Sequence, residues 1–290
     1  MMPASPDRPA ASRRPRRGRL APAVLALVLV LGGCASDGGE PEFVDRDPGA
    51  IYNTALDEFS VGNYNQAVVE FNEVERQHPY SQWATKSKLM AAYTLYLENK
   101  YQLAIDQLEA FIQLHPGNED IAYAYYLRAL SYYEQISDVE RDQGMTQRAF
   151  EALNEVVRRF PDTKYGKDAK GKAVLARDHL AGKEIEIGRY YQRKTDYLAA
   201  INRFKTVLAD YDGTSHVPEA LHRLTECYLS LGLLEEARRS AAVLGYNFPD
   251  SEWYRDSYAL LNEDYQRPPT PEDLERQNQD FFDQTWQSLF

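Results

Sequence analysis

Five segments of this 290-residue chain can be laid over one another without a gap. They are YNQAVVEFNEVERQHP (64–79), YQLAIDQLEAFIQLHP (101–116), TQRAFEALNEVVRRFP (146–161), YLAAINRFKTVLADYD (197–212) and LEEARRSAAVLGYNFP (234–249). The fourth place is always alanine: Ala67, Ala104, Ala149, Ala200 and Ala237. Twelve residues on stand Pro79, Pro116, Pro161, Asp212 and Pro249. Twelve residues back stand Ala55, Ala92, Gly188 and Thr225; in the third copy about eight extra residues intervene and Ala129 is the equivalent. Gly62, Gly144 and Gly232 share one turn position, with Asn99 and Thr195 replacing glycine in the other copies. Such a period means one supersecondary unit built five times, each covering its neighbour's apolar face.

Within the copies apolar residues recur at three- and four-residue spacing, without sustained strand-like alternation, so the unit is a pair of helices. A small residue on each helix lets the two backbones approach. Tyr64, Tyr101 and Tyr197 start second helices, and proline follows their ends because it cannot donate the next helical hydrogen bond. In spacing and residue types the unit resembles the tetratricopeptide repeat over Ile51 to Leu261. The resemblance implies an all-α fold, a right-handed α-α superhelix of five tetratricopeptide-like helix hairpins with a concave face. Extra residues around 166–182 predict a longer helix between the third and fourth copies. The expected division is repeats 1–3 over 51–165 and repeats 4–5 over 166–265.

The N-terminus reads differently. Arg8, Arg13, Arg14, Arg16, Arg17 and Arg19 precede an apolar run from Leu20 to Leu31. As a helix that run spans roughly 18 Å, short of the ~30 Å hydrocarbon core of a bilayer, so residues 1–33 read as an export signal. Leu31-Gly32-Gly33-Cys34 resembles the bacterial lipobox, which implies cleavage before Cys34 and acylation of that residue. Several acyl chains anchor stably where one binds only marginally. Residues 34–50 then form a flexible tether. Ala35 stands where the inner-membrane retention aspartate would be, which implies the outer membrane and its periplasmic side. Cys227, the other cysteine, falls in an apolar helical pattern and reads as a small buried thiol.

Beyond residue 33 the chain holds 27 basic and 43 acidic residues, a poor match to a nucleic-acid backbone. There is no phosphate loop, no nucleophile motif and no histidine or cysteine at metal-ligand spacing, so a non-enzymatic protein without cofactor is expected. In such solenoids the first helix of each pair lines the inner face. Tyr52, Phe59, Tyr93, Tyr96, Tyr123, Tyr126 and Tyr133 fall there. Each offers a flat apolar body and a polar tip, suited to an extended peptide with aromatic side chains whose backbone meets the hydroxyls. Single tyrosines of this kind also serve to pack neighbouring hairpins. In the fourth copy Arg189, Arg193, Lys194, Arg203 and Lys205 form a local basic patch, either a solvated face or a docking surface for an acidic partner. At the C-terminal end, residues 266–290 carry Phe281, Phe282, Trp286, Leu289 and Phe290 at helical spacing, an amphipathic tail.

A lipobox followed by the stretches GNYNQAVVEFNEVERQHPYS, YQLAIDQLEAFIQLHP, RAFEALNEVVRRFPDTKY and YYQRKTDYLAAINRF resembles the BamD family, tetratricopeptide-repeat lipoproteins of the bacterial β-barrel assembly machinery. The resemblance implies an adaptor in the outer membrane. Its N-terminal repeats would receive C-terminal signals of unfolded barrel precursors. Its C-terminal repeats would dock on the periplasmic domains of BamA within the assembly complex. Arg203 matches the family's docking arginine, with Lys194 and Arg193 beside it. The alternative is a periplasmic repeat scaffold serving peptidoglycan or secretin assembly.

Overall fold

A computed structural model describes residues 45–262, and every regular element among them is helical. The expected signal, Cys34, most of the tether and the tail from 266 lie outside the described residues. Five hairpins follow in order: α1 (Pro48–Ser60) with α2 (Tyr64–Gln77), α3 (Gln82–Leu97) with α4 (Tyr101–Leu114), α5 (Ile121–Tyr133) with α6 (Gly144–Arg159), α7 (Lys164–Arg193) with α8 (Tyr197–Asp210), and α9 (Val217–Ser230) with α10 (Leu234–Asn247). A lone α11 (Glu252–Leu261) packs on α9 and α10. First helices touch first helices, α1 to α3, α3 to α5 and α5 to α7, as stacking in a superhelix requires.

The helices begin and end where side chains permit. Asp47 accepts from the Ala50 amide with Pro48 at the first helical position, so α1 starts inside the expected tether. Ser81 and Thr163 cap α3 and α7 in the same way. Four connections share one backbone solution. Asn63, Lys100, Asp196 and Leu233 donate back to the carbonyls of Glu58, Leu95, Tyr191 and Tyr228, across a residue with positive φ. These residues are Gly62 (81°), Asn99 (59°), Thr195 (62°) and Gly232 (73°). That is the Schellman arrangement, which favours glycine and is costly for a β-branched side chain. Gly144 departs from the expected pattern. Residues 134–143 separate α5 from α6, and Gly144 opens α6 in ordinary helical conformation, so the third copy lacks the shared turn.

The repeated small residues of each hairpin are all buried: Ala55 and Ala67, Ala92 and Ala104, Ala129 and Ala149, Gly188 and Ala200, and Thr225 and Ala237. One or two turns further along the second helix, Phe71, Phe111, Leu153, Phe204 and Leu244 fill the space that the small residues leave. The tightest case is Gly188, where an added Cβ would lie only 2.4 Å from the nearest ring carbon of Phe204. The longer helix expected between copies three and four is α7, with 30 residues.

Two substitutions test this packing. Gly188→Ala gains about 1 kcal/mol of helix propensity but overpacks against Phe204 at a cost of about 1–3 kcal/mol. The midpoint of thermal unfolding should therefore fall, and Phe204→Leu in the same chain should recover part of the loss. Thr195→Gly should raise the midpoint, because it relieves a left-handed β-branched residue worth about 1–2 kcal/mol.

Candidate functional site

Four of the seven aromatic residues singled out in the sequence, Phe59, Tyr93, Tyr123 and Tyr126, line up. Phe59 of α1 meets Tyr93 of α3 (ring centroids 6.0 Å apart), Tyr93 meets Tyr123 of α5 (6.5 Å), and Tyr123 meets Tyr165 of α7 (5.4 Å). Tyr126 joins at Tyr165 (5.3 Å). The run thus crosses four successive first helices. Tyr52 sits apart, between Phe71 (5.6 Å) and Trp83 (5.0 Å). Tyr96 packs edge-on to Tyr101, and Tyr133 lies under the Lys172 ammonium. All seven named aromatics are half-buried. Tyr165 and Trp83 were missed in the sequence. Tyr165 lies at the N-terminal end of α7, 23 residues before Gly188, whereas a count anchored on the small residue finds only the opposite end of that long helix.

Two hydroxyls are already committed. Tyr96 donates to Glu134 (3.2 Å) and Tyr126 to Asp168 (2.5 Å). Burial, then the neighbouring carboxylate, pushes the Tyr96 phenol up to about 12 and the Tyr126 phenol higher still. The hydrogen bond from Tyr126 in turn lowers the Asp168 carboxyl. These groups therefore stay protonated donors across the physiological range, and an incoming peptide meets ring faces at Tyr96 and Tyr126 rather than free hydroxyl hydrogens.

The expected basic patch is largely compensated. Arg189 makes a two-pronged contact with the nearly buried Glu219 (2.7 and 2.6 Å) and a third with Glu186. Arg203 reaches Glu184 at 3.1 Å. Lys205 extends over the Tyr228 ring. Arg193 and Lys194, at the end of α7, remain exposed.

A third cluster was not anticipated. His222 is buried on α9, with Nδ1 2.9 Å from the Ser257 hydroxyl of α11 and Nε2 3.4 Å from the Glu226 carboxylate. Glu226 also accepts from Gln192 of α7 and from Arg223. A carboxylate can only accept, so Nε2 carries the proton toward Glu226 and Nδ1 is free to accept from Ser257. The residue types match a serine–histidine–acid triad. However, Ser257 is fully buried and its hydroxyl faces only the ring, which leaves no place for an acyl group. The cluster is a polar latch joining α7, α9 and α11. Cys227, next to it, is the buried thiol expected from sequence, its pKa pushed by burial up to about 12. Among the described residues no group of side chains could hold a metal ion, and no helix is long and apolar enough to cross a membrane.

Comparison with known proteins follows from this repeat. The family model described as outer membrane lipoprotein, YfiO, matches residues 44–244. The chain belongs to that family. It is 48% identical over 256 residues to the outer membrane protein assembly factor BamD of Caulobacter vibrioides, covering 87% of this chain and 84% of the relative. It is 45% identical to BamD of Rickettsia prowazekii, covering 84% and 96%. Among solved structures it is similar to the tetratricopeptide-repeat protein TTC0263 of Thermus thermophilus, with 20% identity, a TM-score of 0.33 and coverage of 74% and 98%.

Acid unfolding tests the latch. Burial raises the Glu226 pKa, but hydrogen bonds from His222, Gln192 and Arg223 outweigh it and hold the carboxyl at about 2, below its ordinary 4.5. A depressed pKa gives stability that is complete above about 4.5 and is lost as pH falls through about 2. Urea unfolding at pH 7 and pH 3 should show Glu226→Gln less stable than the parent at pH 7, with a smaller difference at pH 3.

Proposed function

We propose that this chain is a lipid-anchored, non-enzymatic adaptor of the outer-membrane β-barrel assembly complex, held on the periplasmic side through Cys34. Its first three hairpins receive targeting signals of unfolded barrel precursors. Its fourth docks on the periplasmic domains of BamA. The observation that supports the first role best is the run of rings from Phe59 to Tyr165. Aromatic faces spaced along stacked helices suit an extended segment with aromatic side chains, since ring pairs gain about 0.5–1.5 kcal/mol beyond the area they bury. The relatives' shared name, outer membrane protein assembly factor, supports the same assignment. For docking, Arg193 and Lys194 offer free charge, and Arg203 offers a guanidinium with 42% of its side chain exposed, held in place by Glu184.

Three experiments test this reading. A photocrosslinking residue placed at Tyr93 should capture barrel precursors in cells; capture of glycan-handling proteins instead would replace the adaptor with an envelope scaffold. Arg203→Glu should cut co-purification of BamA at least several-fold, whereas Glu184→Gln, which frees Arg203, should retain it. Intact mass of the membrane-extracted protein should show diacylglyceryl and acyl additions on a chain beginning at Cys34, and Cys34→Ser should abolish them.

A further inference from the structure

A cleft of about 610 Å³ opens between α4, α5 and α6 and takes no part in the roles above. It lies on the one hairpin, among those described, whose helices are joined by ten residues (134–143) rather than three. Arg128, Arg148 and Arg158 line it, with Tyr132 and Phe150 as aromatic wall. Three carboxylates line it too, and each is committed. Glu155 accepts from Arg128 (2.6 Å) and Arg159 (2.8 Å), Glu151 from Gln147 (2.6 Å), and Glu109 from the Tyr132 hydroxyl (3.4 Å).

The cations are not all committed. Arg148 and Arg158 have no hydrogen-bond or ion-pair partner among the described residues, although Glu151 stands three places after Arg148 and Glu155 three places before Arg158. Arg128 uses one amino group on Glu155, while its Nε is buried without an acceptor. A buried donor left unpaired costs about 1–3 kcal/mol, and the Arg128 guanidinium lies over the Tyr125 ring. A solvated helix face accounts for either exposed arginine alone. It does not account for the buried Nε or for three guanidiniums converging on one concavity.

Distance selects the occupant. Arg148 and Arg158 are ten residues apart on one helix, about 15 Å at 1.5 Å per residue. An occupant that matches this backbone spacing meets both arginines without either side chain folding toward the other, and a flat layer of lipid headgroups does not enter a concave wall. An extended peptide covers about 15 Å in four or five residues. We propose that this cleft is a second docking site that takes an extended acidic segment of a partner protein. Carboxylates of that segment meet Arg148 and Arg158, and an aromatic side chain between them lies against Phe150 and Tyr132.

The probe is a fluorescein-labelled Asp-Glu-Phe-Ser-Glu-Asp amide, titrated with the full chain and followed by anisotropy at low and physiological salt. The proposal expects saturable binding that weakens with salt and falls at least fivefold in Arg148→Gln/Arg158→Gln. Both residues are exposed, so the double variant should retain its helical circular dichroism. A Tyr93→Ala control, in the aromatic run, should leave binding unchanged, which separates this site from the precursor-binding role. The proposal is overturned if no binding is seen up to about 1 mM protein, if the double variant binds equally well, or if the Asn/Gln version of the peptide binds as tightly. It is also overturned if phosphatidylglycerol vesicles, and not the peptide, lose binding in the double variant.

Discussion

The close approach of two helix backbones at a pair of small residues is the contact on which the rest of the structure depends. At Ala55–Ala67 and its four equivalents neither side chain is large enough to hold the helices apart. Larger residues one or two turns away, such as Phe71, Phe111 and Phe204, then reach across into the gap and become fully buried. A hairpin joined this way still leaves an apolar stripe uncovered, and only the next hairpin can cover it. Repetition is thus a consequence of the local packing.

Apolar packing gives way to charge toward the C-terminal end. Glu219 is nearly buried and receives two arginines, Arg189 from α7 and Arg223 from its own helix. Glu226 collects Gln192, His222 and Arg223, and His222 carries the connection on to Ser257 in α11. Ion pairs taken out of water gain little net stability, but removing one partner is costly. Their effect here is selective: they fix which face of α9 meets α7 and where α11 must lie.

Much of the helical frame was legible in the sequence, because the alanine-to-proline interval is a packing distance written as a count. It located all five hairpins and the long α7. It misassigned Gly144, because an inserted loop preserves the local residue while removing the turn that residue would serve. For the candidate site, Phe59, Tyr93, Tyr123 and Tyr126 stood at repeat-derived positions and join the aromatic run, whereas Tyr52, Tyr96 and Tyr133 pack elsewhere. Tyr165 and Trp83 were not, since neither stands at a position anchored on the small residue. Side-chain partners were the least legible part. That Arg189 is occupied by Glu219, thirty residues away, or that Tyr126 already donates to Asp168, follows only from how the hairpins stack.

The length of α7 has a mechanical meaning. Its first turn carries Tyr165, where the aromatic run ends, and its last carries Arg193 beside the exposed Lys194. No glycine turn or proline interrupts the 27 residues between, so the two ends are joined by a helical beam about 42 Å long. A pivot of about 5° at the tyrosine end sweeps the arginine end through roughly 4 Å, comparable to a helical turn.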